Sequence, residues 1–153
     1  MTGTIDEGRP RVSQTAMLLG FAGLAPQFAA VTMIALGRSD LALPVAVVYP
    51  MIILSFLGGI WWGFAMRRRQ GQAALAALAV VPSLVAMALL LLATVTGKFD
   101  QLLIGTGLAI LMTLIVDRRL VRTGDAPADW MRLRVPLSIG LGGLTIVAGF
   151  MVP

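Results

Sequence analysis

The sequence contains neither cysteine nor histidine. Disulfides, thiolate chemistry, histidine-ligated haem and the commonest zinc, copper and non-haem iron sites are excluded with them. Charge is scarce too. Only 12% of the 153 residues are charged, against about a quarter in an average soluble domain. The net charge of +5 forms no basic stripe on a soluble element, so nucleic acid is not an expected partner. No nucleophile–base pair, metal cluster or phosphate loop is legible, so a non-enzymatic chain without a cofactor is expected. The leading MTGTIDEGRPRVSQ is polar and partly acidic, unlike a cleaved signal peptide.

What remains is apolar. Hydrophobic residues make up 58% of the chain, more than a soluble fold of this size could bury. Crossing the hydrocarbon takes about 20 apolar helical residues. Five stretches qualify: 14–36, 43–66, 73–96, 99–116 and 135–152. Runs such as LVAMALLLLATV lack the alternation of a membrane β-barrel. The expected fold is therefore all-α: a polar tail over 1–13, then one five-helix transmembrane domain over 14–153.

The connections are short except for Asp117 to Arg134. There Asp125 and Pro127 are placed to open a short interfacial helix. It would turn Trp130, Met131 and Leu133 to lipid and Arg132 and Arg134 to phosphates, with Pro136 starting the last span. Arg9, Arg11, Arg67, Arg68, Arg69, Arg118, Arg119, Arg122, Arg132 and Arg134 fall on one side of such a bundle. Only Arg38 and Lys98 fall on the other. The bias predicts a cytoplasmic N-terminus and an outer C-terminus in a bacterial inner membrane. Trp61 and Trp130, with Arg132 and Arg134, are expected as interfacial anchors.

Within the spans no charged side chain is expected, Asp117 standing at a span end. That argues against proton- or sodium-coupled transport. Pro26, Pro50 and Pro82 lie inside spans, and each frees a carbonyl four residues earlier: Ala22, Ala46 and Leu78. Gln27, Ser83, Tyr49 and Ser55 stand close enough to serve them. Gly58, Gly59 and Gly63 form a small-residue face for helix packing. Tyr49, Ser55, Trp62 and Ser83 are the candidate lining of a pocket between spans two and three, or else polar packing there.

Residues Tyr49-Pro50-Met51-Ile52-Ile53-Leu54-Ser55-Phe56-Leu57-Gly58-Gly59-Ile60-Trp61-Trp62-Gly63 resemble the signature Y-x-x-x-I-L-S-F-L-G-G-x-x-W-G of the family called domain of unknown function 3429. That family includes mitochondrial transmembrane protein 69. Val81-Pro82-Ser83-Leu84, Asp117-Arg118, Ala126-Pro127, Trp130 and Leu133-Arg134 resemble its further elements, over roughly Leu18 to Gly143. Met87 departs from the pattern, where an aromatic is usual, as does the region of Ser138, where a threonine is. The resemblance implies a five-span membrane protein without an assigned activity. Two functions are expected: a structural, accessory or assembly subunit of a membrane complex, in contact with a partner or a second copy, or a module binding a lipid, quinone or other neutral apolar ligand.

Overall fold

A computed structural model describes residues 12–152. The elements are α1 (Gln14–Ala22), α2 (Ala25–Ala35), α3 (Ser39–Met66), α4 (Gln72–Thr96), α5 (Phe99–Arg122) and α6 (Trp130–Met151). Among the described residues there is no strand. Five helical segments are long and apolar enough to cross a membrane, the first being α1 and α2 together, Gln14–Ala35. The tail expected over 1–13 lies almost wholly outside the described residues.

Local chemistry sets the ends. Ser13 opens α1, its Oγ accepting the Ala16 N–H at 3.1 Å. Gly97 closes α4 with φ +73°, which only glycine adopts freely, and its N–H returns to the Ala93 carbonyl at 2.8 Å. The break in span one falls at Gly23 and Leu24. Pro26 sits in the first turn of α2, where its missing N–H costs little. Pro50 and Pro82 lie inside α3 and α4.

Side-chain size decides which face turns inward. Leu18, Phe28, Leu91, Met112, Ile115 and Phe150 are exposed around the bundle, while Ala30, Ala42, Ala46, Ala79, Ala93 and Ala148 are buried. Small residues inside let helices approach closely, and that contact drives association in lipid. A Cβ on Gly58 would lie 2.2 Å from the Ala79 carbonyl oxygen, so α3 and α4 touch by backbone. On α5 and α6, a Cβ on Gly107 would lie 2.6 Å from the Gly142 carbonyl oxygen.

Several sequence expectations are corrected here. Gly59 and Gly63 have no heavy atom within 4 Å of a built Cβ. They share the outer face of α3 with the exposed Ile52, Phe56 and Met66, because Gly58 alone of the three follows the inward i, i+3, i+4 phase. No separate interfacial helix precedes the last span. Residues 123–129 form turns, and Trp130 to Arg134 are the opening turns of α6 itself. Pro136 therefore lies inside α6 rather than at its start. Asp125 does not cap a helix; its carboxylate takes Arg68 and Thr123 instead. Its neighbour Asp129 accepts the Val12 N–H on both oxygens at 3.1 Å, tying the chain before α1 to the start of α6.

Candidate ligand groove and its polar clamp

Five residues at the arginine-rich end of the bundle build a buried polar cluster. On α5, Thr113 and Asp117 are one turn apart and share a face; on α6, Trp130 and Arg134 do the same. These two helices are consecutive and antiparallel, so their loop brings both pairs to one level. Trp61 enters from α3. Asp117 Oδ1 accepts the Trp61 Nε1–H at 2.9 Å and the Trp130 Nε1–H at 3.3 Å. Its Oδ2 accepts Arg134 Nε–H at 2.7 Å. Arg134 Nη2 donates onward to Thr113 Oγ at 3.1 Å, and Thr113 donates to the Ile110 carbonyl at 2.6 Å.

The cluster is dry. Asp117 is 1% exposed, Trp61 3% and Arg134 5%. A lone charge at such a place would be costly in lipid, and the pair together with its hydrogen bonds is what makes burial tolerable. The carboxylate expected at a span end is therefore a buried and paired one, and two anchor assignments are overturned. Trp61 and Arg134 face inward because Trp61 keeps phase with Leu54, Leu57 and Ala65, and Arg134 is drawn to the one carboxylate α5 buries. Trp130 is half-buried between the two roles, and Arg132 remains exposed.

Next to the clamp lies a cavity of about 470 Å³, within the range of small-molecule sites. Its walls come from α1 (Gly20), α3 (Tyr49 and Phe56), α5 (Ile110) and α6 (Arg134 and Ser138). Leu19 and Phe56 line it and are also exposed on the outer surface, so it opens sideways towards lipid. α1 forms one wall and is held chiefly by α6; a Cβ on Gly20 would meet Leu137 at 2.9 Å. The Tyr49 hydroxyl donates to the Gly23 carbonyl, fixing the break between α1 and α2 at the deep end of the groove.

The four residues expected to line a pocket do not come together. Only Tyr49 faces this cavity. Trp62 is 47% exposed and Ser83 is exposed on α4, both on outer faces, while Ser55 is half-buried and outside the lining. The contact of Gly58 with Ala79 and Pro82 leaves no room between α3 and α4 at that level. Trp61 is thus the buried indole and Trp62 the exposed one, a consequence of the 100° turn between consecutive helical residues.

Of the carbonyls freed by proline, the one at Ala46 is served by Gln27, whose Nε2 donates to it at 3.3 Å and to Thr145 Oγ at 3.2 Å. Gln27 is fully buried, and the Thr145 hydroxyl donates to the Leu141 carbonyl at 2.7 Å. Outside the membrane segments, Arg68 Nε donates to Asp125 Oδ1 at 2.7 Å. That bond, helped by Thr123, holds the Asp125 carboxyl below its ordinary range, against an opposing effect of burial. Sequence reasoning missed Asp117, Arg134 as its partner, and Ser138. The legible signal was the matched one-turn spacing of 113/117 and 130/134 across a single loop.

The family model described as "Protein of unknown function (DUF3429)" matches residues 12–151. No curated protein and no solved structure matches the chain.

Proposed function

The chain belongs to the DUF3429 family, and we propose that it is a non-enzymatic membrane module that holds a neutral apolar molecule drawn from the bilayer. The observation carrying this reading is the laterally open cavity of about 470 Å³ between α1, α3 and α6, apolar along its length and bounded at one end by Arg134 and Ser138. Concave apolar sites with few convergent polar groups are the usual form of small-molecule pockets. Molecules reach such a site through the lipid, without crossing water.

Native mass spectrometry from mild detergent tests it. The wild type should retain a bound molecule, and Ile53→Trp, which fills the groove, should release it. A wild type that carries nothing and takes up no added lipid or quinone would remove the reading.

A second reading, an accessory or assembly subunit, is supported by the open notch at Gly59 and Gly63 on the outer face of α3. Small residues there admit a helix from a partner or a second copy. Light scattering in mild detergent should then show a complex that Gly63→Leu dissociates; a monomer throughout speaks against it.

We place the chain in a bacterial inner membrane with a cytoplasmic N-terminus. Supporting this is the position of Arg67, Arg68, Arg69, Arg118, Arg119 and Arg122 at the end where Val12 enters. High alkaline phosphatase activity from a fusion at Arg69 would reverse the orientation.

A further inference from the structure

We propose that the groove receives, between Arg134 and Ser138, the uncharged two-oxygen ring of a long-chain quinone, with the tail lying along the apolar wall. The inference rests on the groove reading above and adds the chemistry of the ligand's head.

Ser138 points to a ligand. It is 1% exposed, it lines the cavity, and its hydroxyl has no hydrogen-bond partner. A helical serine commonly discharges its hydroxyl onto the carbonyl four residues back. Thr145, two turns further along the same helix, does so with Leu141 at 2.7 Å, and Ser138 does not. A buried hydroxyl left unpaired is costly, so an acceptor supplied from the cavity would complete it. Arg134 lines the same cavity. Its Nε and Nη2 are bound to Asp117 and Thr113, and its Nη1 has no acceptor among the described residues.

Charge selects the head. Asp117 already neutralises Arg134 at 2.7 Å, so the two donors sit in a site without net charge. An anionic head would bring an uncompensated charge into a dry site beside a carboxylate. No acidic residue lines the cavity to receive a cationic one. A neutral oxygen acceptor suits both donors.

Depth and spacing narrow it further. Ser138 lies eight residues into α6 from Trp130, or about 12 Å at 1.5 Å per residue. Trp130 shares the level of Asp117, beside the exposed Arg118 and Arg119 that mark the headgroup boundary. The ester carbonyls of a phospholipid are tethered to a phosphate at that boundary, whereas a quinone ring carries no such tether and can sit deeper. Arg134 and Ser138 are one turn apart on α6, about 6 Å along the axis, so both line one short stretch of the groove. Ile53, Phe56 and Leu137 form the apolar wall for the tail.

The test uses the full chain in quinone-free nanodiscs, with 2-decyl-1,4-benzoquinone, decylbenzene and methyl palmitate as probes and affinities read by native mass spectrometry. The quinone should bind the wild type about tenfold more tightly than decylbenzene, as expected for one to two added hydrogen bonds. Ser138→Ala should remove about five- to tenfold of the quinone affinity and leave decylbenzene unchanged. Ser138→Thr, which keeps a hydroxyl, should retain quinone binding and guards against a general packing effect. Equal wild-type affinity for quinone and decylbenzene would overturn the head assignment while leaving the groove standing. So would quinone binding indifferent to Ser138→Ala, and methyl palmitate binding as tightly as the quinone would overturn the ring. Failure of every probe to bind would overturn the groove reading itself.

Discussion

At the end that carries Lys98, the bundle closes on Ala30, Ala42, Ala46, Ala93 and Ala148 packed with Leu102 and Leu103. Five alanines among these buried residues let the helices approach closely. At the arginine-rich end the interior holds large and polar groups, with Trp61 and Leu120 packed near the Asp117–Arg134 pair. There α1 stands off α3 and a groove remains. Both ends must satisfy polar atoms in lipid. The first places a neutral amide there, Gln27 donating to Ala46 and Thr145 while its Oε1 has no partner among the described residues; the second uses an ion pair with two indole donors. A sealed alanine core needs only close approach, whereas a cavity beside α6 needs a rigid frame. The clamp joining α3, α5 and α6 supplies that frame.

The comparison breaks most visibly at the clamp. Arg134→Ala leaves Asp117 buried and unpaired and should cost about 3–5 kcal/mol, read as a large fall in thermal midpoint in detergent. The double replacement Asp117→Leu with Arg134→Met removes both charges and should recover part of that loss, the Trp61 indole N–H being left without its acceptor. If the single variant melts like the wild type, the clamp does not frame this end.

Close approach is the next lever. Gly107→Ala places a Cβ 2.6 Å from the Gly142 carbonyl oxygen and should cost about 1–3 kcal/mol by overpacking. Gly59→Ala, with nothing within 4 Å, should leave the monomer's midpoint unchanged. Equal effects from the two would contradict the packing described here.

At the sealed end, Gln27→Leu strands the Ala46 carbonyl and should cost about 1–3 kcal/mol, less than the clamp variant. Chemical denaturation of both proteins in the same detergent ranks them directly.

The smallest effect belongs to the surface pair Arg68–Asp125. Because the folded state lowers the Asp125 pKa, its stabilisation is present above the unfolded-state pKa of an aspartate. It is lost as pH falls through the lower folded value. Asp125→Asn should remove that acid-side loss and cost about 0–1 kcal/mol at neutral pH, visible in midpoints measured between neutral and acidic pH.

The five spans were legible because lipid demands long apolar helices and little else. One carbonyl freed by proline was legible too, since Gln27 does serve Ala46. Asp117 and Arg134 were not read as partners, since each sits in an arginine-rich stretch that looks like a solvated membrane boundary. Only the pairing of α5 with α6 shows that one face of each turns inward. The misplaced pocket has a similar origin. Tyr49, Ser55, Trp62 and Ser83 are close in sequence pattern, but helical phase sends Trp62 and Ser83 to outer faces. The glycine face divides by phase as well: Gly58 packs against α4, while Gly59 and Gly63 meet nothing within this chain.

One end of the bundle packs on buried alanines and the other opens a groove to lipid. A diazirine-bearing long-chain hydrocarbon, photolysed with the protein in a bilayer and mapped by peptide mass spectrometry, tests it directly. Labels should concentrate on the inward groove positions Ile53, Leu137 and Leu141, with none on the buried Ala46, Leu103 and Ala148. Labels confined to outward faces such as Ile115 and Phe150, with the groove positions clean, would contradict it.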